Sequence, residues 1–488
     1  MVAQRIGVET RTGIRSGPTN PGSPSGVLHL VGLTATGPVD QAVTIRSLAE
    51  YTTTFGDRTS YANSMFDSTR VFFEEGGAEL LISRVVGPDA SVAGVDLTTE
   101  GGEESPGVSL ARIEARDPGS FANEWTVRVG DTNSDGMVTI EVLDAEDEPI
   151  ATWRNIGSPA DLVHAARSAR RVNVLDLGAD DAGSFVPGEY ALSDGTDDRE
   201  SVTSEHVIEA LDRAAAQGRG GSVAAPGHSA ENIGQDLIDY ATRSEKIALL
   251  AAHEDANLAE VEAIGDNLAQ PGGDYAGLFY PWLTVPDGNA TRTVSPEAYI
   301  GAVRARAFTE VGYWQVPAGD RSRTRWVAGT VTDVSQGQNN ELSGHLVNGI
   351  VTTNGRTRLY NWRSLSTNED MVKLSSRDVL NNLSVQIERV LEPHVFSTID
   401  ARGQLFSRVK NSVISVLEPV ARQDGFFARI DEDGDEIDPG YSVQVDVENN
   451  PTDVSEDNRV VVDVGVRLSP TAALIQVEIV KVALTGTL

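Results

Sequence analysis

The sequence predicts a multidomain protein of the mixed α/β (α+β) class with an extended β-strand arm at each end. Three observations lead to this prediction. Helical and strand periodicities alternate in residues 27–87 and again from residue 201, short strands follow one another over residues 108–155, and both termini show a period of two. At about 150 residues per domain, the 488 residues suffice for about two to four domains.

The N-terminal arm is predicted over residues 1–25. In RIGVETRTGIR, apolar or β-branched residues alternate with charged ones; the alternating set is Ile6, Val8, Thr10, Thr12 and Ile14. The following SGPTNPGSPSG contains three prolines, which cannot join a helix or a central strand, so this stretch predicts a flexible linker.

The C-terminal arm is predicted over residues 471–488. Its strand residues are Leu474, Ile475, Val477, Ile479, Val480 and Val482. Neither terminal strand has a hairpin partner beside it in the sequence. Because an open strand edge favours association with other chains, the two arms raise the question of which strands complete them.

Residues 26–92 predict the first part of a central α/β domain. VLHLVGLT and AELLISRVV have the pattern of buried strands. Two helices are expected between them: SLAEYTTTFG, with Ser47 as N-cap and Gly56 as its stop, and SYANSMFDSTRVFFEEGG. The polar, glycine-rich stretch GPDASVAGVDLTTEGGEESPG then favours a domain boundary.

Residues 93–195 predict an inserted β-rich domain, with four short strands in VSLARIEARDPG, EWTVRVG, MVTIEVLD and IATWRNI. The α/β pattern resumes in residues 196–312, the second part of the central domain. Helices are expected at 201–218, 230–244 and 256–269, and strands in GSVAAPG, KIALLAAHE and YAGLFYPWLTV.

Residues 313–470 predict a C-terminal α+β domain. Two long helices are expected in SSRDVLNNLSVQIERVLEP and DARGQLFSRVKNSVISVLEPVARQDG, each with one apolar stripe. The stripes consist of Val379, Leu383, Ile387, Val390 and Leu391, and of Leu405, Val409, Val413, Val416 and Val420. YSVQVDVEN and RVVVDVGVRLSP predict strands that lead to the terminal arm.

The formal net charge is -33, with 72 acidic against 39 basic residues. Such a surface repels phosphate backbones, so no direct nucleic-acid partner is expected. The same charge opposes self-association, and any assembly of this chain should therefore depend on salt or divalent cations.

The chain has no cysteine, which excludes disulfides, iron–sulfur clusters and thiolate zinc sites. MVAQRIGVET lacks the pattern of a signal peptide, and no apolar run approaches the ~20 residues of a membrane helix. Synthesis in a cytoplasm and no membrane insertion are the corresponding expectations.

Two acidic segments resemble cation sites. Asp131, Asn133, Asp135 and Gly136 match the first half of a calcium loop, but position twelve is Val142 and Glu141 comes one residue early, so a hairpin turn is predicted instead. DEDGDEID, residues 431–438, lacks a glycine at the sixth position, where a calcium loop has one, and predicts an exposed loop tip, with weak cation binding left open.

No enzyme motif is evident. GRGGSV follows a predicted helix and has Val223 in place of the third glycine of a dinucleotide site, and the seven histidines lack ligand spacing. Trp282, Trp314, Trp326 and Trp362 could form a sugar-stacking platform, although such residues are more often core or interface anchors. We therefore predict no catalytic residue, no cofactor and no metal site.

The order of several segments resembles the contractile tail sheath proteins of bacteriophages. The similar segments are PSGVLHLVGLTATGPVDQAVTIRSLAEYTTTFG, SYANSMFDSTRVFFEEGGAELLISRVV, ARDPGSFANEWTVRV, LFYPWLTV and VENNPTDV…VRLSPTAALIQVEIV. They extend over nearly the whole chain, and it is their succession rather than any single motif that is specific.

The resemblance implies a structural, non-enzymatic protein of a virion tail, assembled in the host cytoplasm. Copies would polymerise as a helical sheath around an inner tail tube protein, with baseplate and tail terminator proteins as further partners. In this family the terminal arms add strands to a neighbouring subunit. The insertion would lie outward and the C-terminal domain inward. A bacteriocin-like or injection-type particle, or an α/β enzyme or carbohydrate-binding protein, remains as an alternative.

Overall fold

The computed structural model describes residues 26–472 except 100–106, 179–183, 214–219, 354, 401 and 452–457. In chain order the strands are β1 Leu28–Gly32, β2 Val43–Ile45, β3 Leu80–Arg84, β4 Gly94–Thr98, β5 Ser109–Ala115, β6 Thr126–Val129, β7 Val138–Leu143, β8 Pro149–Ile156, β9 Val172–Asp176, β10 Gly188–Ala191, β11 Ser222–Ala224, β12 Ile247–Ala251, β13 Ala276–Tyr280, β14 Leu283–Asp287, β15 Ala290–Val294, β16 Gly329–Thr330, β17 Val347–Thr353, β18 Arg356–Leu359, β19 Arg429–Ile430, β20 Glu436–Asp438, β21 Tyr441–Gln444 and β22 Asp463–Val466.

The α-helices are α1 Leu48–Phe55, α2 Asn63–Glu74, α3 Pro159–Ala166, α4 Ser204–Asp212, α5 Ala230–Ser244, α6 Leu258–Leu268, α7 Glu297–Glu310, α8 Gln336–Gly344, α9 Leu374–Leu391 and α10 Gln404–Ala421. The mixed α+β class predicted from the sequence is confirmed.

The largest sheet has eight strands in the order β18-β17-β13-β12-β11-β1-β3-β2. Its six inner strands run parallel, and the two edge strands β18 and β2 are antiparallel to their neighbours. Strands such as β1 and β12 are buried at every residue, as expected where helices cover both faces. Separate apolar clusters pack on the two sides, one including α7 and the other α5.

The chain leaves this sheet after β3 and returns to it at β11, and the strands between them form two smaller sheets. One has the order β4-β5-β9 and the other β10-β6-β7-β8. The predicted strands of residues 108–155 correspond to β5, β6, β7 and β8. Their shared apolar cluster includes Trp125 and Trp153.

The outgoing and returning segments of this insertion are bonded to each other. Gly87 N–H donates to the Asp197 carbonyl at 2.9 Å, and Ser91 and Thr196 bond reciprocally at 2.9 and 3.0 Å. Asn123 completes the junction: its side chain exchanges two hydrogen bonds with the backbone of Gly195, at 2.9 and 2.8 Å. The junction is therefore a braced pair of segments rather than two independent linkers.

The C-terminal part packs α9 and α10 against each other and against the sheet of β21 and β22. The predicted stripe of α10 is confirmed, since Leu405, Val409, Val413, Val416 and Val420 are all buried. A buried ion pair connects this part to the central one, because Arg304 of α7 donates to Asp378 of α9 at 2.7 and 3.0 Å.

One predicted strand is wrong. YAGLFYPWLTV does not form a single strand but divides into β13 and β14, which belong to different sheets. Pro281 lies between them and has no N–H to continue a ladder, so the chain turns out of the eight-stranded sheet at this residue. β14 then pairs with β15 and β16.

Candidate functional site

The predicted arm residues lie outside the described part of the chain. These are Ile6, Val8, Thr10, Thr12 and Ile14 at one end and Leu474, Ile475, Val477, Ile479, Val480 and Val482 at the other. Their pairing therefore stays a prediction. What the structure does describe is the surface where an added strand could bind.

That surface is the two-stranded antiparallel sheet of β21 and β22. Ser442 pairs with Gly465 and Gln444 with Asp463. Beyond β22 the ladder continues: Arg467 N–H donates to the Gly440 carbonyl at 2.7 Å, while the Arg467 carbonyl accepts from Phe427 N–H at 2.7 Å.

The backbone groups of an antiparallel strand alternate between its two sides. Because Arg467 bonds inward, the intervening Val464, Val466 and Leu468 direct their N–H and C=O groups to the outer side of β22. By the same alternation, Tyr441 and Val443 face the outer side of β21. Within the described residues no third strand joins this sheet, and in that sense we call both of its edges open.

The face of the sheet is apolar and rests on helices. The side chains of Tyr441, Val443, Val464, Val466 and Leu468 pack against a cluster centred on Val413 and Leu417 of α10. A two-stranded sheet is marginal alone, and here the helices supply its hydrophobic support. The edges are thus held in place although no described strand pairs with them.

A groove of about 620 Å³ runs beside the outer edge of β22. Its apolar lining includes Val379 and Leu380 of α9 together with Trp314, Val466 and Leu468, and polar side chains also line it, namely Glu369, Asp370, Lys373, Ser375, Ser376 and Ser469. Pro470 and Thr471 also line it, so the described chain leads into the groove just where the predicted arm begins. Apolar side chains next to a backbone edge are suited to an added β-strand.

The hairpin of β19 and β20 projects from the same sheet. Arg467 braces its base, with the guanidinium donating to the Phe427 carbonyl and to the Asp438 carboxylate, both at 3.0 Å. The bond from Arg467 lowers the pKa of Asp438. At the tip, the Asp431 carboxylate accepts the N–H groups of Asp433 and Asp435, at 3.1 and 2.8 Å. The predicted exposed loop tip is confirmed.

The calcium-like segment is the turn of the hairpin between β6 and β7, as predicted. Asn133 accepts the N–H groups of Asp135 and Met137 at 2.9 Å, which uses its side-chain oxygen to hold the turn. Over the described ranges, no group of three or more His, Asp or Glu side chains is arranged to hold a metal ion.

The four tryptophans do not form a common platform. Trp362 packs on Phe279 with ring centroids 5.7 Å apart, and Trp314 packs on Tyr313 at 5.2 Å in a different cluster. Trp282 donates to the Ala252 carbonyl at 2.8 Å, and Trp326 lies under the guanidinium of Arg70. These residues act as packing anchors, which was the second of the two interpretations.

The histidines are likewise dispersed. His29 is buried and bonded to Ser83 at 2.9 Å, and burial lowers its pKa. His253 bonds to Glu231 at 2.6 Å and His345 to Asp266 at 2.9 Å, and each hydrogen bond raises the pKa of its imidazole. None of the helices described is long and apolar enough to cross a membrane.

The arrangement of sheets matches solved sheath structures along most of the chain. The sheath tail protein of Desulfitobacterium hafniense is similar with a TM-score of 0.56 at 12% identity, covering 91% of this chain and 94% of that one. The sheath tail protein of Listeria innocua gives 0.62 at 11% identity, with 87% and 89% covered. The contracted sheath of the PVC extracellular contractile injection system gives 0.56 at 14% identity, with 99% and 98% covered.

This chain has the contractile-sheath fold. The resemblance seen in the sequence is thereby confirmed at the level of fold. No family model and no curated protein matches the sequence itself. The sheath fold is thus recognisable from the order of short segments and from the coordinates, although sequence identity has fallen to between 11 and 14%.

The open edges of β21 and β22 were missed as a site by sequence reasoning. The strands themselves were predicted, but the sequence does not state which edge of a strand stays unpaired. The sequence did contain a signal for this site. The period-two valines of residues 443–466 indicate strands with one apolar face, and two strands are too few to form a stable sheet alone, so an incomplete sheet could have been predicted.

Proposed function

We propose that this protein is the subunit of a contractile sheath, most simply that of a bacteriophage tail, in which copies are connected by exchange of terminal strands. The observation that carries the proposal is the open outer edge of β22, whose Val466 and Leu468 line a partly apolar groove, in a chain with the sheath fold. Each copy would offer edges that the arms of neighbouring copies complete.

The energetics favour such an exchange. A strand of about six residues forms several backbone hydrogen bonds worth ~0.5–1.5 kcal/mol each. Burial of Ile475, Val477 and Ile479 would contribute ~1.5–3 kcal/mol per side chain. The outer edges of β21 and β22 would take one added strand each, which equals the number of predicted arms.

Contraction follows from this linkage. Copies would stack around an inner tail tube in an extended state of higher free energy and, after a signal from the baseplate, shift as rigid bodies into a shorter and wider packing. Residues 16–25 and about 469–473 would absorb the change while the strands stay paired. New contacts between the bodies supply the free energy, so no nucleotide or catalytic residue is needed.

The proposed partners are a second copy of this chain, the inner tube protein, the baseplate and the tail terminator. The proposed location is the tail of a virion assembled in the host cytoplasm, with ejection of the genome through the host envelope as the outcome. The insertion of β4 to β10 would face outward and the helices α9 and α10 inward.

The test uses a proline at the outer edge of β22. Val466→Pro removes an N–H that faces outward, so the internal ladder is kept while an added strand loses a bond and meets the proline ring. Val466→Thr keeps both shape and N–H and is the matched control. Deletion of residues 474–488 removes one arm.

By electron microscopy, the unchanged protein and Val466→Thr should form hollow cylinders. Val466→Pro and the deletion should remain soluble subunits with the same far-ultraviolet dichroism. Normal cylinders from both defective variants would refute strand exchange. Absence of cylinders from the unchanged protein would count against the sheath proposal itself.

A sheath of an injection-type particle is the second candidate. It is supported by the similarity to the contracted helical sheath of the anti-feeding prophage, which covers 98% of this chain and 100% of that one at a TM-score of 0.55. The mechanics are the same and the payload differs. Particles isolated with a DNA-filled capsid would favour the phage tail, and particles without one the injection device.

A further inference from the structure

Five arginines line one edge of the eight-stranded sheet. Arg321, Arg323 and Arg325 alternate along a segment whose Thr324 N–H donates to the Thr357 carbonyl of β18 at 3.1 Å. This bond places the segment beside Arg356 and Arg358 of the same strand. We call these five residues, Arg321, Arg323, Arg325, Arg356 and Arg358, the arginine edge.

The arginine edge keeps a positive charge. Its acidic neighbours are Glu310, 3.8 Å from Arg325 and 4.0 Å from Arg321, and Asp320, 3.4 Å from Arg358 and paired with Arg323. Among the described ion pairs, these five cations thus face two carboxylates, in a protein whose net charge is -33. Arg321, Arg323 and Arg325 are 45, 41 and 53% exposed, so the charge reaches the surface.

A sixth arginine lies beneath the arginine edge. Arg306 is buried and donates to the carbonyls of Arg321 and Arg323 at 3.4 and 3.1 Å. Its Nε has no acceptor among the described residues. Burial lowers its pKa, and the nearby charge of Arg325 adds to this. Glu75, 4.0 Å away, balances Arg306 but already accepts three backbone N–H groups.

The hairpin of β19 and β20, residues 428–439, carries the opposite charge to the arginine edge. We call it the acidic hairpin. Exposed carboxylates crowd its tip, namely Asp431, Glu432, Asp433, Asp435 and Glu436. Ile430 and Ile437 are 66 and 60% exposed, which is costly for side chains of this size if nothing covers them. The acidic hairpin therefore fits a partner surface that combines cations with apolar stems.

We propose that the arginine edge of one copy docks on the acidic hairpin of a second copy. The inference rests on the proposed function, because it requires self-association, but it uses neither arm. The carboxylates would pair with the guanidinium groups, and the two isoleucines would pack on the arginine stems and on the half-buried Trp326.

The geometry of the assembly follows from the difference between the two surfaces. A contact between unlike patches of identical chains is head-to-tail and generates rings or helices rather than closed dimers. Each copy offers one arginine edge and one acidic hairpin, so every copy can contact two others. The contact also supplies local attraction against the overall repulsion of -33 charges.

The test is a charge exchange. The edge variant carries Arg321→Glu, Arg325→Glu and Arg356→Glu, and the hairpin variant carries Glu432→Lys, Asp433→Lys and Glu436→Lys. Asp431 is left in place because it holds the turn. The control variant carries Arg154→Glu, Arg167→Glu and Arg170→Glu, three exposed positions of the insertion with the same change in net charge as the edge variant.

Assembly is measured as the critical concentration for pelleting, with electron microscopy of the pellets. The edge and hairpin variants should each raise it about tenfold or more at about 50 mM salt, with a smaller increase at about 500 mM, where screening weakens all charge contacts. A chain carrying both sets should return to within about threefold of the unchanged protein, because the pairs are restored with reversed sign.

The outcomes separate the two proposals. If the unchanged protein assembles and the edge variant behaves like the control variant, the docking contact is wrong while the sheath proposal stands. If the chain with both sets fails to recover assembly although its dichroism is unchanged, the pairing of these two surfaces is likewise wrong. If the unchanged protein does not assemble at any salt concentration, both proposals fall.

Discussion

Glu297 is the first residue of α7 and is only 2% exposed, in the interior beside the eight-stranded sheet. Its Oε2 has no partner among the described residues. Burial raises its pKa from 4.5 to about 7, and the bond to Ser295 offsets only part of this effect. The perturbation we consider is Glu297→Gln, which keeps the shape but cannot ionise.

The sign of the effect follows from proton linkage. The folded protein holds the proton of Glu297 up to about pH 7, whereas the unfolded chain releases it near 4.5. The folded state therefore binds more protons between these values, and the free energy of unfolding decreases as the pH rises through this window. At about 1.4 kcal/mol per pH unit, the loss amounts to about 3 kcal/mol above pH 7.

Glu297→Gln removes this dependence. We expect the variant to match the natural protein within about 1 kcal/mol near pH 4.5 and to be more stable by up to about 3 kcal/mol at pH 8. For a unit of about 200 residues this corresponds to a rise of roughly 6–12 °C in the unfolding temperature of the transition that contains the large sheet. Scanning calorimetry between about pH 4.5 and pH 8 measures it.

The control is Glu310→Gln, at the other end of the same helix, where the carboxylate is 51% exposed. It should change stability by no more than about 0.5 kcal/mol at either pH. If Glu297→Gln and the natural protein show parallel profiles, or if the variant is the less stable at pH 8, Glu297 is not held protonated by burial and the reasoning fails.

Three further substitutions test the packing. Asp378→Ala leaves the charge of Arg304 in a buried site and should cost about 3–5 kcal/mol, seen as a lower unfolding temperature, whereas an effect below about 1 kcal/mol would mean that the ion pair does not connect α7 and α9. Glu75→Ala removes the acceptor of three consecutive backbone N–H groups, at 2.8–2.9 Å, and should destabilise by at least about 3 kcal/mol in urea titrations; a neutral result would show that water replaces the carboxylate. Leu417→Ala, in the fully buried centre of α10, should cost about 2–5 kcal/mol and lower the unfolding transition of the C-terminal part, while an unchanged transition would indicate that this core is not tightly packed.

Elements with strong local signals were predictable from the sequence. Ser47 caps α1 by accepting the Glu50 N–H, and Gly56, with φ of 81°, ends it, as the residue types indicate. The long helices α9 and α10 have one apolar stripe each because only one side meets the core. For these elements, the residues within one short stretch of sequence are enough to predict the structure.

Helix α7 was not predicted, because its sequence lacks such a local signal. Eleven consecutive residues, Glu297 to Ala307, are buried, so the helix has no polar face and no visible period. The insertion strands β4, β9 and β10 depend on pairing with distant partners, such as β10 with β6, and the sequence does not encode that choice locally.

The candidate site was likewise predictable where the signal is local and not where it depends on distant pairing. The apolar alternation of β21 and β22 was visible in the sequence. Which of their edges stays open depends on the strand order of the whole sheet, which the sequence does not show. The arginine edge depends on a bond between Thr324 and Thr357, which are more than thirty residues apart. The sequence shows the alternating arginines but not that they lie beside the arginines of β18.

The braced junction of the insertion has a practical consequence. Gly87 and Ser91 of the outgoing chain bond to Asp197 and Thr196 of the returning one, and the loop at Asn133–Gly136 is the exposed turn between β6 and β7, so a peptide inserted there lengthens only a hairpin turn of the insertion. That exposed loop is therefore a natural point at which to graft a short epitope or fluorophore-binding peptide, giving a visible handle on each copy while the rest of the molecule keeps its shape.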